Sequence, residues 1–129
     1  MSPIGKPGMS ESIFLDTYAI FEIIKGNPNY KIYEKFQLMT TIFNLAKFNY
    51  NFKKEKEKKI VDEYTKKLLD FVVDAELEDI QNAMDLKSTN RNLSIPDAVG
   101  YTVAKRLGVK FLTGDKDFKD MENVEFVLK

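Results

Sequence analysis

Short apolar runs that end at aspartates constrain the fold of this chain more than any other feature. Ile13 to Leu15 have the character of a buried strand and stop at Asp16, and Val109 to Thr113 lead into Gly114 and Asp115. Longer segments with helical spacing of apolar residues separate such runs. Strands that alternate with helices favour a mostly parallel sheet with helices on both faces, so the sequence predicts an α/β fold.

The periodicity predicts the order of the elements along the chain. Strands are predicted at residues 13–15, 37–41, 109–113 and 124–128. Helical segments are predicted at residues 18–25, 30–36, 41–52, 53–72, 76–86, 94–107 and 117–121. In the fourth of these, the charge run of residues 53–59 is predicted to be the solvated start of a long helix. In the fifth, Leu77 is predicted to face inward.

Residues 1–12 contain two Pro, two Gly and three Ser without periodicity, so they are predicted to be a flexible leader. The eight residues before Met9 have the character of an addition to the native chain and are left out of the fold prediction. Residues 13–129 are predicted to form one domain, since this length matches a single hydrophobic core.

The composition excludes several kinds of catalytic site. The 129 residues contain no His and no Cys, which excludes His-assisted triads, thiol nucleophiles and Cys/His zinc sites. Carboxylates remain, and these suit hard cations such as Mg²⁺ or Mn²⁺. The 20 basic and 20 acidic side chains balance, so nucleic acid would have to be bound by a local patch. No apolar run reaches the roughly 18 residues of a membrane span, and a cytoplasmic protein is expected.

Four aspartates occur at predicted strand-to-helix junctions: Asp16, Asp97, Asp115 and Asp117. In an open α/β sheet, ligands bind outside the carboxyl ends of the strands, so these acids are expected to converge there into one cluster. Each also has a structural explanation, as a helix cap or a turn residue. The explanation is strongest for Asp97, because Ser94 and Asp97 have the spacing of a capping box.

Three segments together resemble the PIN domain family: FLDTYAIFEII from Phe14, SIPDAVGYTVAKRLG from Ser94 and VKFLTGDKDFKDMENVEFV from Val109. Their order and spacing agree with the family from about residue 13 to the end. The resemblance implies a three-layer α/β/α sandwich and a metal-dependent ribonuclease, such as the VapC-like toxin of a toxin–antitoxin pair. It further implies RNA as substrate, an antitoxin protein as partner and a homodimer. Asp16, Asp97 and Asp115 would then be catalytic and would bind Mg²⁺ or Mn²⁺, with Asp117 as a fourth metal ligand.

One position departs from the family pattern. The resemblance places a glutamate on the helix after the second strand, where this chain has Lys47. A lysine ammonium cannot bind a cation and is expected to form an ion pair with the aspartates. Three explanations stay open: the site works with Asp residues alone, Glu34 compensates, or catalysis is impaired. In the last case the protein would be a module that binds RNA or a protein.

Two further inferences complete the sequence-based prediction. A haloacid-dehalogenase-like phosphotransferase would carry a second Asp two residues after Asp16, and Tyr18 stands there instead. That reaction class is therefore disfavoured. The helix predicted at residues 41–52 carries apolar side chains on two faces. It is therefore expected to be buried on two sides or to form the interface of a homodimer.

Overall fold

All four strands of the sheet in the computed structural model run parallel. The structure describes residues 11–129, and the sheet has the order β2-β1-β3-β4. The strands are β1 (Ser12–Leu15), β2 (Gln37–Met39), β3 (Lys110–Thr113) and β4 (Val124–Phe126). The predicted strands are therefore all present, with ends that differ by one or two residues. Most of the predicted leader lies outside the described residues, and Ser12 already belongs to β1.

Helices cover both faces of this sheet. The α-helices are α1 (Thr17–Ile24), α2 (Ile42–Phe52), α3 (Lys58–Leu68), α4 (Leu77–Thr89) and α5 (Ile95–Leu107). Three 3₁₀ helices span Pro28–Lys35, Leu69–Phe71 and Lys116–Phe118. None of the helices in residues 11–129 combines the length and the apolar character that crossing a membrane requires.

The alternation of side chains along β1 divides the core into two halves. Ile13 and Leu15 pack with α1, α2 and α3, in a cluster that includes Phe48 and Val61. Phe14 points to the opposite face and packs with α4 and α5. A buried sheet between two helical layers is the predicted three-layer α/β/α sandwich, and this prediction is confirmed.

Two local predictions were wrong. The charge run does not begin a long helix: residues 53–56 form turns and a bend, and α3 begins only at Lys58. The chain has to reverse there because α3 packs back against α2, and Lys53 pairs with Asp62 of α3 at 3.0 Å. Leu77 is not inward but 73% exposed, because it is the first residue of α4 and precedes the turn that faces the core.

Helix α2 is buried on one broad side and exposed on the other. Leu45, Phe48 and Phe52 are buried, and the helix packs against α1, α3 and α5. Ile42 and Tyr50, on the other apolar face of the helix, are 53% and 67% exposed, so of the two expectations burial on both sides does not hold within this chain. Contact with three helices therefore accounts for part of the apolar surface of α2, and an exposed stripe remains.

Helices α2 and α5 approach each other closely at Gly100. A Cβ atom at this position would lie 2.7 Å from Oδ1 of Asn44 and 3.0 Å from the ring of Phe14. Asn44 is fully buried, its Oδ1 accepts a hydrogen bond from the Thr41 hydroxyl at 2.7 Å, and its Nδ2 donates to Thr17 at 3.3 Å. The amide is held on both sides and has little room to move away.

We therefore predict that Gly100→Ala destabilises the fold. Alanine favours a helix over glycine by about 1 kcal/mol, but the clash with Asn44 should outweigh that gain and leave a net loss of about 1–3 kcal/mol. Urea denaturation followed by circular dichroism measures the difference. An unchanged or higher midpoint would show that α2 and α5 can separate at this point without cost.

Candidate active site at the carboxyl edge of the sheet

The carboxyl ends of the parallel strands place the predicted acids on one edge of the sheet. Asp16 directly follows β1, and Asp115 lies two residues after β3. Asp97 enters the same region from the first turn of α5, the helix that leads back to the start of β3. The predicted common edge is thus the place where β1 and β3 end and α1 and α5 begin.

Asp16 is an acid that the fold keeps out of water. It is 1% exposed, and its Oδ2 accepts a hydrogen bond from the Thr113 hydroxyl at 2.6 Å. Its Oδ1 is buried, and no group within residues 11–129 forms a hydrogen bond with it. The side chain makes no capping hydrogen bond to α1, although Asp16 stands at the N-cap position. Helix capping therefore does not explain this residue, and an orphaned buried oxygen calls for another explanation.

Burial raises the pKa of Asp16 from 3.8 to about 7, and the negative charge of Asp97 adds to the rise. The hydrogen bond from Thr113 and the positive charge of Lys47 act in the opposite direction but do not cancel it. A positive charge brought to the free oxygen would favour the carboxylate form. A cation bound at Asp16 would therefore stabilise its carboxylate form.

Asp97 has all of its predicted capping contacts and one more. The Ser94 hydroxyl accepts from the backbone N–H of Asp97 at 3.2 Å, while Oδ2 of Asp97 accepts from the backbone N–H of Ser94 at 3.1 Å. The remaining oxygen, Oδ1, lies 2.8 Å from Nζ of Lys47. The capping box is thus confirmed, and so is the expectation that Lys47 pairs with one of the aspartates.

Asp115 and Asp117 are more open to solvent than Asp16 and Asp97. Oδ1 of Asp115 accepts from the backbone N–H of Asp117 at 2.9 Å, which caps the following 3₁₀ turn. Asp117 is exposed and lines a polar depression of about 240 Å³ together with Arg91 and Asn92. Its structural explanation as a cap is not borne out, because the cap of this turn is Asp115.

Thr113 connects two of these acids. The sequence favours an ST-turn for this residue, with the orientation of a carboxylate or a phosphate by its hydroxyl as the alternative. In the structure the Thr113 hydroxyl donates to Asp16 and accepts from the backbone N–H of Asp115 at 3.0 Å. One side chain therefore connects the acids that follow β1 and β3. Only the pairing of these strands as neighbours brings Thr113 to Asp16.

Asp16 is well suited to bind a divalent cation, whereas Asp97 and Asp115 already use oxygens in contacts within the protein. The orphaned Oδ1 of Asp16 and the surrounding oxygen donors suit a hard cation. Within residues 11–129, however, no three acidic side chains lie close enough to hold a metal ion together. Lys47 holds Asp97, and Asp115 caps a turn. Glu34 lies in the segment before β2, at the amino end of the strands, and is therefore on the wrong edge to compensate.

Comparison with protein families shows to which family the chain belongs. The family model described as PIN domain matches residues 13–124. This chain belongs to the PIN domain family. Lys47 of this PIN domain reaches Asp97 in space. No curated protein gives a match to the sequence.

Solved structures share the fold of this PIN domain at low sequence identity. A chain of a toxin–antitoxin complex from Klebsiella pneumoniae is 18% identical, with a TM-score of 0.68, over 88% of this chain and 95% of that chain. A chain of VapBC2 from Rickettsia felis, bound to a DNA fragment from its promoter, is 16% identical, with a TM-score of 0.67, over 92% and 98%. A Pyrobaculum aerophilum protein is 17% identical, with a TM-score of 0.67, over 92% and 91%. At this identity the likeness concerns the fold.

The raised pKa of Asp16 predicts that Asp16→Asn stabilises the protein at alkaline pH. The folded-state pKa, about 7, lies above the ordinary value of 3.8. The buried carboxylate therefore destabilises the native state increasingly as the pH rises from the lower to the higher of these values. Asparagine keeps an acceptor for Thr113 and removes the buried charge. We expect a gain of roughly 1–4 kcal/mol at pH 8 and much less at pH 5.

Chemical denaturation at pH 5 and pH 8 measures this difference. Asp115→Asn is the matched control, because asparagine can accept the same capping hydrogen bond and the side chain is only half-buried. It should change stability little at either pH. A loss of stability in Asp16→Asn at pH 8 would contradict the assignment of a buried, uncompensated carboxylate.

Proposed function

We propose that this PIN domain hydrolyses RNA phosphodiester bonds with the help of a divalent cation. The observation that carries the proposal is the buried Oδ1 of Asp16 at the edge of the sheet where ligands bind, because this oxygen has no hydrogen-bond partner in the part of the chain that the structure describes. Membership of the PIN family supports a nuclease. The absence of His and Cys supports carboxylates as the groups that organise the reaction.

Asp16 would be the principal ligand of the cation, with Asp97 and Asp115 beside it and Asp117 as a fourth, outer acid. Mg²⁺ or Mn²⁺ bound here would lower the pKa of a coordinated water and would neutralise charge on the phosphate. Mg²⁺ commonly uses only one or two carboxylates and completes its coordination with water and substrate oxygens. The small number of buried acids at this edge is compatible with that mode of binding.

The protein's own residues prepare the site. Thr113 fixes the orientation of Asp16 through a hydrogen bond of 2.6 Å, so that the free oxygen keeps its direction. Ser94 fixes Asp97 at the start of α5. Lys47 supplies a positive charge close to both acids. An RNA phosphate that approaches this edge would therefore meet one fixed cation as well as the acids.

The biological role that fits best is that of the toxin of a toxin–antitoxin pair, acting on RNA in the cytoplasm. Its support is the fold shared with chains of a toxin–antitoxin complex and of VapBC2. An antitoxin protein would then be the partner that restrains the nuclease. The alternative function is a PIN domain that binds RNA or protein without cleaving it. The ion pair between Lys47 and Asp97 favours that alternative, because it neutralises one of the buried acids without a metal.

The proposed function predicts cleavage of single-stranded RNA that depends on Asp16. Residues that merely orient a metal ligand typically contribute roughly 10- to 100-fold, so Asp16→Asn should lose about 100-fold or more of the activity in Mn²⁺. Asp85→Asn, an exposed acid of α4, is the control and should retain full activity. Cleavage of a fluorescently labelled RNA, with and without a chelator, measures both. Equal activity of both variants would remove Asp16 from the reaction.

A measurement of RNA binding distinguishes the non-cleaving binding module from the proposed nuclease. If the wild type is inert in Mg²⁺ and Mn²⁺ but binds the same RNA in fluorescence anisotropy, the protein is a binding module. An inert wild type that also fails to bind RNA would contradict both the nuclease and the RNA-binding module, and would leave the protein-binding module as the remaining alternative.

We further propose that the protein is a homodimer and that α2 provides the interface. Ile42, Ala46 and Tyr50 are spaced by four residues and form an exposed apolar stripe on this helix. Exposed apolar side chains arranged in a patch are typical of an interaction surface. An interface on α2 would place two copies of the site near each other, since Lys47 lies on the same helix.

Tyr50→Glu is expected to convert the dimer into a monomer, because it places a charge in the middle of the apolar interface. Light scattering over a wide range of concentrations gives the mass. Leu77→Glu serves as the control: Leu77 is also strongly exposed but lies on α4, and its substitution should leave the dimer intact. A wild type that is monomeric at all concentrations would contradict the proposal.

A further inference from the structure

Lys47 contacts Asp97 in addition to the capping hydrogen bonds that Asp97 shares with Ser94. Its Nζ lies 2.8 Å from Oδ1 of Asp97 and 3.2 Å from the Ser94 hydroxyl. The side chain of Asp97 is 5% exposed and that of Lys47 is 29% exposed, so the pair is largely shielded from water. Surface ion pairs contribute little because water screens them, whereas a buried carboxylate depends on its partner.

The packing of α2 fixes the position of the backbone that carries Lys47. Leu45 and Phe48, on either side of it in α2, are buried in the core. Three residues before Lys47, Asn44 packs directly against Gly100 of α5. The helix that carries Lys47 is therefore fixed against the helix that carries Asp97, and the pair spans the two.

A divalent cation and this ammonium would compete for the same oxygen. Mg²⁺ binds a carboxylate oxygen at about 2.0–2.1 Å, and the ammonium lies 2.8 Å from Oδ1 of Asp97. Two cations on that oxygen would be at most about 5 Å apart, in a place where water screens little. Oδ1 of Asp16, in contrast, is buried and accepts no hydrogen bond from any of the described residues 11–129.

We propose that Lys47 is an internal cation that takes the place of a metal ion on Asp97, so that the site holds at most one divalent cation, on Asp16. The inference rests on the proposed function, because it describes the charges of the same site. In this arrangement the ammonium balances Asp97 permanently, and the exchangeable metal balances Asp16. Lys47 is accordingly a positioning residue that determines how many metal ions the site accepts.

The test is calorimetric titration of Mn²⁺ into chelator-treated protein. The wild type should bind no more than one ion per chain, and Asp16→Asn should abolish that binding. Lys47→Glu removes the competing charge and adds an oxygen ligand. It should therefore bind at least tenfold more tightly or take up one additional ion. Lys54→Glu, which makes the same charge change on an exposed residue just after α2, is the matched control and should behave as the wild type.

Thermal unfolding provides a second readout that needs no enzymatic activity. Lys47→Met has nearly the length of lysine but no charge, so Asp16 and Asp97 lose their shared compensation. In chelator its melting temperature should fall below that of the wild type. Mn²⁺ should then raise the melting temperature of Lys47→Met by about 5 °C or more, and by more than it raises that of the wild type.

The results separate this inference from the proposed function. Two ions bound to the wild type, or a Lys47→Glu variant with unchanged affinity and stoichiometry, would overturn the internal cation. A Lys47→Met variant that Mn²⁺ stabilises no more than the wild type would overturn it as well. If the metal-binding pattern is as expected but no variant cleaves RNA, the internal cation stands and the nuclease function fails.

Discussion

Two carboxylates lie out of water at the carboxyl edge of the sheet, and the ammonium of Lys47 lies beside them. Asp16 and Asp97 are almost fully buried, and among the acids of residues 11–129 Lys47 forms its ion pair with Asp97 and not with Asp16. Burial without compensation raises the pKa of Asp16 to about 7. Such an arrangement costs stability and persists only where the surrounding structure holds it in place. The strand pairing, the start of α5 and the position of α2 all contribute to that restraint.

The contact between α2 and α5 connects the packing of the fold with the charges of the site. Gly100 lets Asn44 approach α5 closely, and the same approach brings Lys47 to Asp97. A Cβ atom at position 100 would clash with Asn44 at this contact. The packing of α2 against α5 therefore determines which buried acid is paired with the Lys47 ammonium. Asp97 is paired with it, and Asp16 is not.

The sequence predicted the elements of the fold well where periodicity and capping are strong. The strands, the capping box of Ser94 and Asp97, and the end of α5 at Gly108 follow from local patterns, and the structure has them. Prediction failed where a tertiary contact decides the outcome. Residues 53–56 form turns and a bend because α3 has to return to α2, and Leu77 is exposed because the first turn of α4 precedes the core.

By itself the sequence determined the chemistry that is available: carboxylates without His or Cys, at the ends of strands, and a lysine on the helix after the second strand. It also supported membership of the PIN family, through the order of three segments. Only the tertiary structure decided the state of each acid. The pairing of β1 with β3 gives Asp16 its hydrogen bond from Thr113 and leaves its other oxygen orphaned. The reason is that pKa and pairing depend on burial and on distances between groups up to 97 residues apart in the chain.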